Sequence, residues 1–209
     1  MKIAIIGTHC NGKTTLIEEF LKRWPMYKKP AKTYRDFLND KKIKINQKGT
    51  KESQRAILDA LIDEVQTACG SGDEFLIFDR CVLDNLVYSL WLNAKGKVDD
   101  NFIMDCKFLV SETIKLFDII FYIPLREEIK LEKRKHRDID PVYREEIDNI
   151  FSAVIGTYLT GSGIFFPLSD CPAVIEIEGP PDLRCDQIQL YIKDTGKTYT
   201  EEDPSLIYT

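Results

Sequence analysis

Histidine is scarce in this 209-residue chain, with two in all, and no two cysteines stand in CxxC spacing. The six cysteines (Cys10, Cys69, Cys81, Cys106, Cys171 and Cys185) are scattered. That pattern gives no support to a zinc site or a disulfide framework, and reduced thiols in a cytoplasmic setting are the expectation. Long apolar runs are missing too. The first, residues 3–6, stops at Gly7 and is too short for a secretory core. Nothing approaches the roughly 20 apolar residues of a membrane-spanning helix, so no membrane partner is expected. There is no basic excess either: 29 Lys and Arg stand against 34 Asp and Glu, a formal charge of -5. Such a balance argues against a nucleic-acid binder acting through its whole surface, though it leaves local patches open. Repeats and low-complexity stretches are also lacking.

What is present reads as one soluble domain. Hydrophobic residues make up 44% and charged residues 30% of the chain, ordinary values for a globular protein. Short apolar runs alternate with helical patterns. Strands are expected at Lys2–Ile6, 74–80, 118–124 and 173–179, with one more somewhere in 26–34. Helices are expected at 12–23, 52–69, 83–92, 102–117, 141–158 and 183–193. Asp140 followed by Pro141 supplies a cap and a first-turn proline for the fifth of these. Near-continuous apolar strands separated by helices point to an α/β fold, a parallel sheet covered on both faces. The domain is expected over residues 1–195, with a polar tail at 196–209.

Residues 7–14, Gly-Thr-His-Cys-Asn-Gly-Lys-Thr, fit GxxxxGK[ST] without a gap. The spacing has a chemical reason. Glycines such as Gly7 and Gly12 let the loop turn backbone N–H groups inward around phosphate, and the following helix adds its positive end. Lys13 can then reach the β- and γ-phosphates, and Thr14 can ligate Mg²⁺. With Asn11 and Thr15, these residues form the expected ATP-binding set. The motif lies between a buried strand and an amphipathic helix, the context it requires.

Asp79 and Arg80 fall at the C-terminal edge of the strand at 74–80, where open α/β sheets keep their ligands. A carboxylate there can hold metal-bound water or accept a hydroxyl proton, and an arginine can clamp phosphate. Arg126, Lys130, Lys133, Arg134 and Arg137 follow the strand at 118–124, with Arg144 beyond. Arginines closing over a triphosphate would neutralise the charge of transfer. Asp84 and Tyr88 lie one turn apart on the next helix, and Tyr34, Arg35 and Asp36 stand in a lysine-rich segment, 22–55. These are the candidate acceptor contacts.

The phosphate loop, the strand-end Asp-Arg, the charged segment and the late Ile-Glu-Ile-Glu-Gly resemble the nucleoside and nucleotide kinases of the P-loop class. Thymidylate kinase is the familiar member. RDIDPVYREEID and TYRDFL are closer to the AAA-like, nicotinamide riboside kinase-type group, which has bacteriophage members. The resemblance implies a five-stranded parallel sheet, Mg-ATP as donor, a lid at about 125–143 with Arg134 and Arg137 facing phosphate, and an adenine pocket near Gly179-Pro180-Pro181. The acidic-proline pair of thymidylate kinases is not found, and Lys32 and Thr33 stand where riboside kinases carry an acid. The acceptor base is therefore left among Asp36, Asp79 and Asp84, with Asp79 first.

The expected function is ATP-dependent phosphoryl transfer to a small nucleotide, first of all a deoxynucleoside monophosphate. An alternative is a kinase acting on a nucleoside, a riboside, or a modified base or end in DNA. An alternative of another class is a nucleotide-driven ATPase or switch. The expected partners are ATP and a nucleotide-like acceptor, with a homodimer left open.

Overall fold

Residues Lys2–Ile6 form strand β1 because every second side chain finds a different apolar layer. Ile3 and Ile5 enter one buried cluster, and Ala4 and Ile6 enter another on the opposite face. The same alternation recurs in β2 (Leu76–Asp79) and β3 (Ile119–Tyr122), as the two-residue period of a strand requires. In the computed structural model, which describes residues 1–41, 43–125, 140–161 and 170–199, these strands and β4 (Ala173–Glu176) pair in parallel in the order β2-β1-β3-β4.

The sheet has four strands rather than five. Where a further strand was expected, at 26–34, Lys28 alone bridges Leu76 in parallel, its N–H donating to Phe75 and its carbonyl accepting from Ile77. Pro30, two residues on, has no N–H to continue such a ladder, and the intervening lysine prefers water. The expected edge strand is reduced to one bridge.

One face of the sheet carries α1 (Lys13–Arg23) and α7 (Pro181–Gln189), which pack on each other through a cluster that includes Phe20, Trp24 and Ile188. The other carries α3 (Lys51–Gly70), α4 (Val82–Ala94), α5 (Asp100–Thr113) and α6 (Pro141–Leu159). Asp140 caps α6 as expected, its Oδ1 accepting from Val142 N–H at 3.0 Å and Tyr143 N–H at 3.3 Å. A short helix, α2 (Tyr34–Lys41), lies in the lysine-rich segment and packs on α3. Beyond α7, Gly196 presses against Met26 and Phe75, and its carbonyl accepts from the Tyr27 hydroxyl at 2.6 Å. None of the helices described is long and apolar enough to cross a membrane.

The order of the strands places the site. From β1 the chain crosses to β2 on one side, and β3 lies on the other. The carboxyl ends of β1 and β3 therefore flank the point where strand order reverses, the usual ligand position in such sheets, and the end of β2 adjoins it.

Candidate active site

The loop leaving β1 is held in one conformation from several directions. Gly7 has φ 138°, and a Cβ there would lie 2.5 Å from the Ile123 carbonyl oxygen, so the close approach of β1 to β3 needs glycine. Asn11 is buried and its Nδ2 donates to the carbonyls of Ile123 at 2.7 Å and Pro124 at 3.1 Å. Its side chain thus ties the loop to the end of β3 rather than reaching outward. Gly12, at φ 77°, caps α1, and its carbonyl takes the first helical bond from Leu16. His9 adds a third anchor: its backbone N–H donates to the Tyr88 hydroxyl, and its Nδ1 is also 3.1 Å from that oxygen.

Lys13 is 5% exposed, and its Nζ donates to the carbonyls of Gly7 at 2.7 Å and Thr8 at 2.6 Å. Burial, with Arg80 nearby, lowers its pKa to about 7, against the pull of Asp84 and Asp79. A triphosphate would offer this ammonium charged oxygens in place of carbonyls.

Thr14 and Asp79 meet across the crevice. The Thr14 hydroxyl donates to Asp79 Oδ2 at 2.9 Å, and Arg35 Nη2 pairs with the same oxygen at 2.8 Å. Oδ1 of Asp79 is buried without a hydrogen-bond partner, as is the Thr8 hydroxyl in the loop. Such orphaned oxygens beside a phosphate loop suit an added ligand. A hard cation takes oxygen donors and keeps most of its waters, so the Thr14 hydroxyl and Asp79 carboxylate fit Mg²⁺ without an all-protein cage. Among the described residues no cluster of three or more His, Cys, Asp or Glu could hold a metal ion.

Arg80 has φ 93°, a rare conformation for a residue with a side chain. The turn aims its guanidinium at Asp84, where Nη1 donates to Oδ1 at 2.8 Å, and lays it over the Tyr88 ring at 5.4 Å. The other Asp84 oxygen accepts from Cys81 N–H at 3.0 Å. Burial pushes the Asp84 carboxyl up, against the pull of Arg80 and Lys13. With both oxygens engaged, this side chain is an anchor for Arg80 and is poorly placed as a base.

A cleft opens beside this pair. Tyr34, Arg80, Asp84 and Tyr88 line it, as do Gln54 and Asn85. Arg35 adjoins through its ion pair with Asp79. Asp36 is not among the lining residues: its exposed carboxylate accepts from the Thr33 N–H and hydroxyl and starts α2. Thr15 is exposed on the first turn of α1. Arg134, Arg137, Arg126, Lys130 and Lys133 lie outside the described residues, as does most of the lid segment at 125–143.

Sequence reasoning missed Gln54. It is 2% exposed; its Oε1 and backbone carbonyl accept from Asn85 Nδ2, both at 3.0 Å. Its neighbours Ile57 and Leu61 give an ordinary helical stripe, so the polar residue in that stripe was the available signal. Also missed was Glu64, whose Oε2 accepts from Tyr34 N–H at 2.7 Å and whose burial raises its pKa to about 7.

Solved structures share this fold. The NadR protein in complex with NR superposes with a TM-score of 0.63 at 15% identity over 97% of this chain, which spans 52% of the length of NadR. Deoxyadenosine kinase from M. mycoides, with dCMP and dCDP bound, gives 0.63 at 20% identity, covering 90% of this chain and 97% of that one. Thymidylate kinase from Candida albicans gives 0.51 at 16% identity, covering 90% and 88%. No curated protein sequence matches the chain. Residues 2–158 match the family model described as AAA domain. That match takes in the phosphate loop, Asp79-Arg80 and the cleft, and so this chain belongs to the AAA-domain family, with the fold that P-loop nucleoside and nucleotide kinases share.

Proposed function

We propose that the protein is an ATP-dependent kinase that phosphorylates a small nucleoside or nucleotide. The observation that carries this reading is one juxtaposition: Lys13 and the Thr14–Asp79 pair stand beside a cleft lined by Arg80 and Asp84. The kinases of like fold add support, since their names specify nucleoside and nucleotide acceptors.

In this reading the loop amides and Lys13 hold the donor phosphates. Thr14 and Asp79 hold Mg²⁺, which when bound supplies charge neutralisation for the phosphates. Asp79 Oδ1 orients the acceptor hydroxyl and takes its proton. Arg80, fixed by Asp84 and Tyr88, stands where the acceptor enters, and Arg134 and Arg137 neutralise charge from the lid. Tyr34 and Tyr88 flank the acceptor.

A monophosphate is the acceptor the sequence suggests. The pairing of both arginines at the cleft favours a second reading, an uncharged nucleoside: Arg80 is already matched by Asp84, and Arg35 by Asp79. The test is ATP consumption and product analysis with a panel of nucleosides, nucleoside monophosphates and an oligonucleotide. A phosphorylated small molecule is the expected result. Transfer to the oligonucleotide alone would select the polynucleotide alternative, and ATP hydrolysis indifferent to every acceptor would select the switch.

A further inference from the structure

Two buried arginines meet the phosphate loop from opposite faces of the sheet. Arg144, on α6, is 6% exposed; its Nε donates to the His9 carbonyl at 3.3 Å and its Nη2 to the Cys10 carbonyl at 3.4 Å. Arg184, on α7, is 5% exposed, and its Nη1 donates to the Asn11 carbonyl at 3.0 Å. The same nitrogen lies 3.1 Å from where a Cβ on Gly12 would stand, so the guanidinium packs directly on the loop. Helix α7 is itself pinned to the end of β4: Gln187 Oε1 accepts from Glu178 N–H at 3.0 Å, and its Nε2 donates back to the Glu178 carbonyl at 2.9 Å.

A loop that aims successive N–H groups at a phosphate has its carbonyls pointing outward, where burial leaves them in need of donors. Guanidinium groups supply those donors, and they place positive charge behind the loop instead of the negative charge an acid would bring. We propose that Arg184 and Arg144 are positioning residues, a pair of brackets that hold the carbonyls of three consecutive loop residues and so keep the loop amides set for the donor triphosphate. Arg184 carries the tighter contact and ties donor binding to α7. This inference rests on the reading of the loop as the ATP site.

The test uses Arg184→Met and Arg184→Lys in the full chain, with titration of a Mg²⁺-bound non-hydrolysable ATP analogue, KM for ATP and for acceptor, and thermal midpoints. Arg184→Met should weaken analogue binding about tenfold, the worth of one charge-assisted hydrogen bond, with KM for ATP rising in step and acceptor KM unmoved. Arg184→Lys, which keeps one donor and the charge, should recover most of that loss. Should Arg184→Met fail to fold, amide hydrogen exchange decides on Arg184→Gln, which loses the charge: faster exchange confined to residues 9–12 supports the bracket, and an unchanged loop overturns it. A folded Arg184→Met with native analogue affinity also overturns it, as does a loss shared equally by ATP and acceptor. If the unaltered protein binds no analogue, the ATP-site reading fails first and the bracket with it. Binding by the unaltered protein and the Met variant alike rejects the bracket alone.

Discussion

Lys13 donates to two backbone carbonyls from a buried position, and burial with Arg80 nearby holds its pKa at about 7. The folded state therefore binds fewer protons than the unfolded chain between about pH 7 and the ordinary lysine value of 10.5, so this residue makes stability rise with pH across that window. Triphosphate oxygens would restore the ammonium charge. Titration of an ATP analogue at pH 8 in buffers of different ionisation enthalpy should thus show net proton uptake, and Lys13→Met should abolish it. At Asp79 the expectation is kinetic. Asp79→Asn should lower kcat by about a hundredfold or more, the usual share of a positioned base, while binding of ADP without Mg²⁺ stays near native. Gly7→Ala tests the loop itself: with Ile123 O only 2.5 Å from the new methyl carbon, the loop must move, and analogue binding should be lost. The spacing of glycines, lysine and hydroxyl made this loop legible in the sequence. Arg184 was not legible, because its partner is a backbone carbonyl 173 residues away that no local pattern encodes.

At the scale of elements, most helices and strands follow from apolar period and caps, as Pro141–Leu159 does behind Asp140. Helix α2 did not. Two turns are too short to show a period, and the flanking lysines add no apolar stripe to mark it. Its start depends on Glu64 of α3, a tertiary contact. Because burial raises the Glu64 pKa from 4.5 to about 7, the folded state holds more protons between those values. Stability from this group accordingly falls as pH rises from about 4.5 to 7, by about 3 kcal/mol at about 1.4 kcal/mol per pKa unit. Glu64→Gln keeps an acceptor for Tyr34 N–H and removes the charge. Chemical denaturation across pH 5 to 8 should show the variant more stable than the parent at pH 8, and the two converging near pH 5. A constant difference over that range would contradict the assignment.

Over the whole molecule, two apolar layers on a parallel sheet bring together residues that the sequence keeps apart. Loop residues 7–14, Asp79-Arg80, α3 and Arg184 of α7 converge beside the ends of β1 and β2. The α/β class was legible because near-continuous apolar strands alternate with helices. Strand number was less so, since the edge at Lys28 depends on how far one ladder runs before Pro30. The acceptor was least legible. Its cleft is built from side chains on α2, α3 and α4, and Gln54 is polar within an apolar stripe for reasons visible only once the helices pack. All of these features converge on nucleotide held by the first loop. The most direct test is calorimetric titration of Mg²⁺ and a non-hydrolysable ATP analogue into the parent protein and Lys13→Ala. The account predicts saturable one-to-one binding by the parent and a loss of about a hundredfold or more in the variant, as expected when a charged contact to phosphate is removed. Equal affinity in the two proteins would contradict it.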